Sequence, residues 1–334
     1  MTPRSRIAGV GHYLPERVVR SEALEKELCL TERFGVTAGF VERMTGVAER
    51  RWAPPGSANS DLAALAAERA IAAAGLDAGA IDCVVFAAVG QDLAEPATAN
   101  ILQDRLGARR AHAFDVKNAC NSWLNAVDLA DSLIASGKAG CVLVATGEVS
   151  SFYIDLDIPD YRTLLQRLSA LTLGDAGAAA VLVPATGERG IRGTFFQSAG
   201  EEWALATVAG GGTRFGWGTS RFESQSSKLL AVTERRLPPL VLKASTAVDW
   251  KPSEVDCIVP HQVSTGFVRK MCLAMGVPFE RCVVTLDRYG NCAAASIPLA
   301  LSLAVDTGQL APGHKVALVA GAAGFSASVI ALVW

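Results

Sequence analysis

The sequence predicts an α/β protein built from two similar halves, which together form a five-layered αβαβα sandwich. The first observation is an internal repeat with a nearly constant offset of 172 to 174 residues. The repeated pairs are IDCVVFAAV at Ile81 with VDCIVPHQV at Val255, DVKNACNS at Asp115 with DRYGNCAA at Asp287, and CVLVATGE at Cys141 with KVALVAGA at Lys315. The second observation is that continuous apolar runs alternate with Ala- and Leu-rich helical runs, which is typical of mostly parallel sheets covered on both faces.

The elements of the two halves follow the same scheme of helices and buried strands. The first half supplies a helix in LAALAAERAIAAAG (Leu62 to Gly75), strands in IDCVVFAAV and HAFDV, a helix in NSWLNAVDLADSLIASG and a strand in AGCVLVATG. The second half supplies a helix around Thr265 to Met275, strands in VDCIVP and VVTLD, a helix in SIPLALSLAVDTG and a strand in KVALVAG. We match the helix at 265–275 with the helix at 62–75.

Two segments with poorer periodicity interrupt the repeat. One covers 150–168 and is expected to be lid-like; the other covers 187–232 and contains AGGGTRFGWG. Long irregular insertions in a compact domain usually form lids, substrate walls or subunit contacts, although variable surface decoration is an equal alternative. We therefore expect an N-terminal half over 1–180 and a C-terminal half over 181–334.

Composition excludes several functional classes. The chain has 334 residues, half of them hydrophobic, and a formal net charge of -2, which gives no electrostatic case for nucleic-acid binding. Its eight cysteines show no CxxC spacing, so a zinc site and a disulfide framework are both poor interpretations, and most should be reduced core thiols. We find no signal peptide and no membrane span, and expect a cytoplasmic protein.

Cys120 lies at the junction between a strand and a helix in FDVKNACNSWLNAVDLA. The free N–H groups and positive dipole end of a helix N-terminus favour a thiolate and can hold an oxyanion. A buried packing cysteine is the alternative. Two further segments favour a nucleophile: PHQ places His261 at the end of an apolar strand, and YGN (Tyr289 to Asn291) lies at the repeat position of the Cys120 turn, with Asn291 just before Cys292. If the repeat reflects a twofold, these side chains converge as in nucleophilic acyl transfer.

These segments resemble the ketoacyl synthase III group of the thiolase superfamily. The matching pieces, in order, are FDVKNAC, GDAGAAAVL from Gly174, PHQVS, YGNCAAASIPLAL and AGAAGFSAS. The resemblance implies a homodimer with the thiolase fold and no cofactor. It also implies that Cys120 accepts an acyl group from a thioester of coenzyme A or an acyl carrier protein. His261 and Asn291 would then stabilise an enolate or help the second nucleophile.

The resemblance also implies an oxyanion hole formed by the backbone N–H groups of Cys120 and Ala323. The family commonly has three glycines where this chain has Ala322, Ala323 and Gly324, so a glycine-only backbone angle is not expected at the first two positions. His12, His112 and His314 have no partner motif and are expected to be structural or at the surface.

Glu95, in DLAEPATA, distinguishes this member. In relatives, the residue before that proline reaches across the dimer into the partner's acyl pocket and is commonly apolar. A glutamate there resembles the condensing enzymes of bacterial olefin synthesis and stand-alone α-pyrone-forming ketosynthases, where it is the proposed base. In a dry pocket its pKa would rise toward a useful range. The alternative is a solvated glutamate that caps the following helix.

The donor site departs from the family pattern. Relatives that bind coenzyme A often stack its adenine between a Trp and an Arg near a TGI motif, whereas this chain has TGV with Phe40 and Met44 at those places. A carrier protein becomes a plausible donor. The candidate contacts for the substrate or the carrier protein are Phe40, Arg43, Met44, Arg50, Arg51, Arg214 and Phe325. For the arginines, a position on the solvated surface is an equal alternative.

The leading hypothesis is a Claisen condensation through acyl-Cys120 in specialised or fatty-acid-derived metabolism. Its rival transfers the acyl group to an oxygen or nitrogen acceptor, because the polar Asn121-Ser122 pair or the glycines at 210–212 could admit one. A thiolase is disfavoured because GAAGFSAS lacks a second cysteine, and hydroxymethylglutaryl synthase because the chain is short. A non-catalytic partner subunit is disfavoured because Cys120, His261 and Asn291 are all present.

Overall fold

The computed structural model of the protein describes residues 4–216, 218 and 220–334, so two residues of the predicted second insertion, 217 and 219, lie outside the description. The strands are β1 Ser5–Tyr13, β2 Arg17–Arg20, β3 Glu49–Trp52, β4 Cys83–Ala87, β5 His112–Val116, β6 Val142–Glu148, β7 Ala176–Pro184, β8 Gly190–Ser198, β9 Ala206–Ala209, β10 Arg221–Ser224, β11 Cys257–Pro260, β12 Lys315–Ala322 and β13 Ser326–Val333. The α-helices are α1 Ser21–Glu27, α2 Leu30–Phe34, α3 Phe40–Thr45, α4 Asn59–Ala73, α5 Thr98–Leu106, α6 Ser122–Ala135, α7 Tyr161–Arg167, α8 Ser226–Val248, α9 Thr265–Met275, α10 Leu286–Tyr289 and α11 Ser296–Asp306.

Two sheets form the framework, and their topologies match. The first has the order β1-β7-β6-β4-β5 and the second the order β11-β12-β13-β8. In each, the two repeat-related strands, β4 with β6 and β11 with β12, run parallel. β5 also pairs parallel with β4, whereas the other strand pairs are antiparallel, so both sheets are mixed and the expectation of mostly parallel sheets is wrong. VVTLD (283–287), predicted to be a strand, is not one in the structure: an isolated bridge joins Ile258 to Cys282, the residue just before it, at the place that β5 occupies in the first sheet, and α10 begins at Leu286.

Alternation of side chains along the strands defines the layers. In β4, Val84 and Phe86 face the cluster that contains α4 and α5, whereas Val85 faces the cluster that contains α6 and α11. In the second sheet, Val319 packs with α8 and α9, and Leu318 with α6 and α11. The order of layers is therefore α4/α5, first sheet, α6/α11, second sheet, α8/α9, which is the predicted five-layered thiolase fold.

The helix pairing predicted from the repeat is wrong in one respect. Helix α9 follows β11, just as α5 follows β4, so the helix at 265–275 corresponds to α5. The counterpart of α4 is α8, which packs on β8 and β13. The mismatch arose because α8 begins inside the segment that we assigned to the insertion at 187–232.

The sheet strands also show where the two halves and the insertions begin and end. β7 continues to Pro184 and β8 begins at Gly190, so the change of sheet falls after 184 and the expected boundary at 180 lies within β7. β8 belongs to the second sheet, and only the part of 187–232 between β8 and α8 departs from the repeat. That part includes the two-stranded ribbon of β9 and β10. No helix among the described residues is long and apolar enough to cross a membrane.

Helix α4 lies unusually close to the first sheet, which explains its alanine-rich sequence. A Cβ atom placed on Gly177 of β7 would lie 2.0 Å from the carbonyl oxygen of Leu62, and one on Gly147 of β6 would lie 1.9 Å from that of Asn59. The small faces of helix and sheet thus meet backbone to backbone. Adding a single methyl group there should lower the stability of the protein, because interiors are close-packed.

We predict that Gly177→Ala lowers the free energy of unfolding by at least about 1–3 kcal/mol, because the helix must move away from the sheet. Gly266→Ala is the matched control: a Cβ atom at this exposed position in α9 meets nothing within 4 Å, and alanine is the better helix former. Urea denaturation of both variants measures the difference. Equal stability of the two variants would contradict the close approach of α4.

Candidate active site

Cys120 lies on a tight turn that joins β5 to α6. Ala119 adopts a left-handed conformation with φ of 49°, an unfavourable angle for a residue with a Cβ atom. The hydroxyl of Ser122 braces the turn, accepting from the Asn118 N–H at 2.7 Å and donating to the Ala119 carbonyl at 2.6 Å. The predicted strand-to-helix junction is confirmed, and the turn holds the thiol just ahead of the first residue of α6.

A cavity of about 610 Å³ opens at this turn and receives residues from both halves. Cys120 and Asn118 come from the first half, and Asn291, Ala293 and Ala323 from the second. Other described lining residues are Val89, Gln91, Asp92, Leu93, Ala94, Lys117, Ala119, Ser150, Phe152, Tyr153, Leu173, Trp203, Ala206, Thr207, Val208, Gly210, Gly211, Gly218, Ser220, Phe222 and Gly324. The structure therefore brings together Cys120, Asn291 and Ala323, as the sequence predicts.

The backbone of Asn291 is held on both sides by the segment that precedes β7. Its N–H donates to the Thr172 carbonyl at 2.9 Å, and its carbonyl accepts from the Gly174 N–H at 3.1 Å. The side-chain oxygen Oδ1 accepts from the Ala293 N–H at 3.0 Å. Nδ2 has no hydrogen-bond partner among the described residues, so this amide group is available as a donor toward the cavity.

Arg50 packs beneath Gly290, next to Asn291, and is not on the surface where a carrier protein could bind. Its guanidinium is fully buried and donates to the carbonyls of Val19 at 3.0 Å and Leu171 at 2.9 Å. Burial lowers its pKa to about 10. A Cβ atom on Gly290 would lie 3.0 Å from the Arg50 Cβ and 2.3 Å from the Thr172 carbonyl, so only glycine fits over this arginine. The expectation that Arg50 meets a carrier protein is wrong.

His261 directly follows β11, as predicted, and is buried. Its N–H donates to the Val319 carbonyl at 2.8 Å, and burial lowers the pKa of its imidazole to about 4, so the ring is neutral near pH 7. Nδ1 has no partner among the described residues. His261 is not among the described residues that line the cavity.

Gln262, the third residue of PHQ, ties the end of β11 to the chain that leads to Asn291. Its Oε1 accepts from the N–H groups of Thr285 at 2.9 Å and Leu286 at 3.1 Å, and its Nε2 donates to the Val283 carbonyl at 3.0 Å. Because the side chain is buried, these bonds fix His261 relative to the Asn291 turn.

The pKa of the Cys120 thiol is raised to about 12, first by burial and then by the neighbouring Glu148 carboxylate. The sequence predicted that the helix dipole would favour a thiolate. In the structure desolvation is the larger effect, because a dipole at a helix end is worth about 1 kcal/mol and burial of a charge costs more. Cys120 is therefore a neutral thiol in the free protein.

Glu148 was not anticipated from the sequence, although an acid at the end of the apolar run CVLVATGE was a visible signal. It is completely buried, and its Oε1 accepts from the N–H groups of Val89 at 2.7 Å and Ala294 at 3.3 Å. Burial raises its pKa to about 7. The carboxyl group thus joins the loop that leads to Glu95 to the loop that follows Asn291.

Glu95 is exposed in the single chain and makes no hydrogen bond or ion pair with the described residues. Its neighbours Leu93 and Ala94 line the cavity, but Glu95 does not. The alternative that it caps α5 is wrong, because the carboxylate of Asp115 accepts from the first N–H groups of that helix, at 2.9 and 2.8 Å.

The expected donor-binding residues lie away from the cavity. Phe40 packs in a separate apolar cluster with Ile158 and Leu164, which anchors the first insertion. Arg43 is held on its own loop by the Thr37 carbonyl at 2.9 Å, and Met44 is exposed. None of these predicted contacts is among the described lining residues.

Arg214 and Phe325 differ in their relation to the cavity. The guanidinium of Arg214 lies 5.2 Å from the ring centre of Trp203, which lines the cavity, so Arg214 is at its rim. Phe325 is fully buried in the cluster under α8 and α9, and it is a core residue instead of a substrate contact. The predicted insertions contribute Ser150, Phe152 and Trp203 to the wall, which is one of the roles expected of such irregular segments.

Asn121 and Ser122 do not face an acceptor. Both side chains are fully buried and hydrogen-bonded within the protein, which removes one argument for a polar second substrate. Two other observations keep that alternative open. Gly210 and Gly211 line the cavity, and the buried Ser150 hydroxyl has no partner among the described residues.

Comparisons with known proteins show which family this chain resembles. Two family models match the chain. The model of 3-oxoacyl-[acyl-carrier-protein (ACP)] synthase III matches residues 114–200, and the model of the C-terminal part of that enzyme matches residues 246–334. The chain is 35% identical to beta-ketoacyl-[acyl-carrier-protein] synthase III of Ruegeria pomeroyi, with 100% of both chains covered. It is also 35% identical to the protein of the same name from Paramagnetospirillum magneticum, with 98% of each covered.

Solved structures give the same result. The 3-oxoacyl-(acyl carrier protein) synthase III from Pseudomonas aeruginosa superposes with a TM-score of 0.88 at 28% identity, covering 99% of this chain and 98% of the other. A cysteine-to-alanine variant of OleA from Xanthomonas campestris gives a TM-score of 0.92 at 26% identity, covering 99% and 97%.

We predict that Glu148→Gln flattens the pH dependence of stability. The folded protein keeps a proton on Glu148 up to about pH 7, whereas the unfolded chain releases it near its ordinary pKa of 4.5. This group's stabilising contribution is therefore lost as the pH rises from about 4.5 to 7, and glutamine retains the Oε1 acceptor without titrating.

Between pH 5 and pH 8, the free energy of unfolding of Glu148→Gln should rise relative to wild type by on the order of 2–3 kcal/mol. Urea denaturation at the two pH values measures it, with the exposed Glu27→Gln as the matched control. A variant-minus-wild-type difference that is the same at both pH values would contradict a protonated Glu148.

Proposed function

Since the chain belongs to the ketoacyl synthase III family of the thiolase superfamily, and is a condensing enzyme of that type, we propose that it forms a carbon–carbon bond through acyl-Cys120. An acyl thioester loads Cys120, and a second acyl thioester then condenses with it to give a β-ketoacyl product. The observation that carries the proposal is the single cavity in which the Cys120 thiol, the Asn291 amide and the Ala323 backbone meet.

The loading step begins from a neutral thiol. As Cys120 Sγ attacks the thioester carbonyl its proton must leave, and the neutral imidazole of His261 is the proposed acceptor. The oxyanion that forms is held by the backbone N–H groups of Cys120 and Ala323. When the intermediate collapses, the thiol of coenzyme A or of the carrier protein departs with a proton, and acyl-Cys120 remains.

The condensation step needs a carbanion on the second thioester. We propose that the free Nδ2 of Asn291 and the imidazole of His261 stabilise its enolate oxygen. Glu95 from the partner subunit removes the α-proton if no carboxyl group is lost. Attack of this carbon on the acyl-Cys120 carbonyl forms the new bond and returns the electron pair to the Cys120 sulfur. No cofactor takes part in these steps.

A homodimer would place Glu95 at the partner's cavity. β5 is an edge strand of the first sheet and, among the described strands, pairs with β4 alone; edge strands of this kind can continue across a subunit interface. Leu93, which lines the cavity, is also half-exposed and therefore accessible to a second chain. We propose that a cytoplasmic dimer forms at this edge, with acyl-CoA or an acyl carrier protein as donor.

A second candidate function is transfer of the acyl group from Cys120 to an oxygen or nitrogen acceptor. The unpartnered Ser150 hydroxyl and the glycines at 210 and 211 favour it, because they give a polar acceptor both a hydrogen-bonding group and space in the wall. Product analysis separates the two: condensation yields a new carbon–carbon bond, whereas transfer yields an ester or amide of unchanged chain length.

We predict that acyl-CoA and acyl-carrier thioesters add one acyl mass to the wild-type chain and none to Cys120→Ala. Intact-mass spectrometry measures the increment, and Cys292→Ala is the matched control, since that buried cysteine occupies the repeat position equivalent to Cys120's and should leave the increment unchanged. An increment on Cys120→Ala, or none on wild type with any donor, would overturn the covalent mechanism.

We predict that Glu95→Gln still accepts an acyl group but makes no condensation product by itself. Heterodimers of Glu95→Gln with Cys120→Ala, isolated through two different tags, should recover about half of the wild-type rate, because the intact cysteine then faces the partner's intact glutamate.

The control for this prediction is the heterodimer of wild type with the double variant Glu95→Gln/Cys120→Ala. Its only thiol faces Gln at position 95 of the partner, so it should be inactive. The reverse pattern of activities would place Glu95 in its own subunit's site, and a fully active Glu95→Gln homodimer would remove it as the base.

A further inference from the structure

A group of buried side chains joins the Cys120 turn to the strand that follows Ala323. Asn121 donates from Nδ2 to Ser326 Oγ at 2.8 Å and accepts at Oδ1 from Ser328 Oγ at 2.6 Å. Asn121 and Ser328 are fully buried, and Ser326 is 5% exposed. These bonds connect the first half of the protein with the second.

The other end of the turn is tied to the same serine. Asn118 donates from Nδ2 to Ser326 Oγ at 2.9 Å and to Asn125 Oδ1 at 2.7 Å. Ser326 Oγ therefore accepts from the residues on both sides of Ala119 and Cys120. We call Asn118, Asn121, Ser326 and Ser328 the Asn121 clamp.

The sequence of β13 indicates that the side chains of the clamp do more than fill space in the core. Alternate residues on the inner face of this strand are Ser326, Ser328, Ile330 and Leu332, so two hydroxyls occupy places where the pattern continues with aliphatic side chains. Buried polar pairs contribute little more to stability than apolar pairs of the same shape. They do, however, fix relative positions through directional bonds.

The position fixed here is that of the loop carrying Ala323. This loop ends at Ser326, and its last two residues, Gly324 and Phe325, have positive φ angles of 72° and 30°. The Phe325 carbonyl accepts from the Ala199 N–H at 2.9 Å, which holds the loop on its other side. The clamp is the direct link between this loop's end and the Cys120 turn.

We propose that Asn121, Ser326 and Ser328 are positioning residues that set the separation between the Cys120 N–H and the Ala323 N–H, the two donors to the oxyanion. The inference rests on the proposed function, because it assumes that an acyl thioester is attacked by Cys120. Asn121 acts through the backbone that it holds, since its side chain is buried and does not line the cavity.

The test compares two reactions of the same thiol. Acylation by a panel of acyl N-acetylcysteamine thioesters passes through an oxyanion, whereas alkylation by iodoacetamide does not. Loss of the clamp in Ser328→Ala and Asn121→Ala should slow acylation of Cys120 by about 10- to 100-fold and change its alkylation rate by less than about twofold. Both rates are followed on the Cys120 peptide by mass spectrometry.

Ser302→Ala is the matched control, because its buried hydroxyl bonds to His12 Nδ1 at 2.9 Å away from the cavity. It should leave both rates unchanged. The double variant Asn121→Ala/Ser328→Ala should acylate no more slowly than Asn121→Ala alone, since the two side chains act as one unit. If Asn121→Ala does not fold, Ser328→Ala, which removes only one hydroxyl, carries the test.

Wild-type acylation in Ser328→Ala, or an equal fall of acylation and alkylation, would overturn the clamp's role and leave the proposed function standing. A wild-type chain that is alkylated at Cys120 but acylated by no thioester of the panel would overturn the proposed function, and the inference with it.

Discussion

The burial of α6 and α11 between the two sheets is the constraint on which the site depends. Both helices pack in the same cluster with the inner faces of both sheets, so neither can shift without opening the core. The turns that precede them carry Cys120 and Asn291. Because the helices are fixed, the thiol of one half and the amide of the other meet at one cavity.

Burial affects the pKa values of Cys120, Glu148 and His261 more than neighbouring charges do. Burial raises the pKa of Cys120 to about 12 and of Glu148 to about 7, and it lowers that of His261 to about 4. Near pH 7 the thiol and the imidazole are therefore uncharged, whereas Glu148 is about half ionised. In the proposed mechanism, oriented N–H groups stabilise charge where it develops during the reaction, as electrostatic preorganisation requires.

Several features could be predicted from the sequence because they depend on short-range pattern. The offset of 174 residues predicted the matching pairs β4 with β11 and β6 with β12, and the strand-to-helix junction predicted the Cys120 turn. The pairing of α9 with α4 failed because helical periodicity does not reveal which sheet face a helix covers. The substrate contact predicted for Phe325 failed because an aromatic residue near a motif has the same local pattern in a core as in a cavity wall.

The sequence by itself determined the two-half architecture and the place of Cys120 on a strand-to-helix turn, since these follow from periodicity and the repeat. From motif order it also predicted His261 and Asn291 as the partners of Cys120. Only the tertiary structure decided the protonation of the thiol, the burial of Arg50 and the bonds of Asn121 to Ser326 and Ser328. Those properties depend on desolvation and on contacts between residues up to 207 positions apart, which no local pattern encodes.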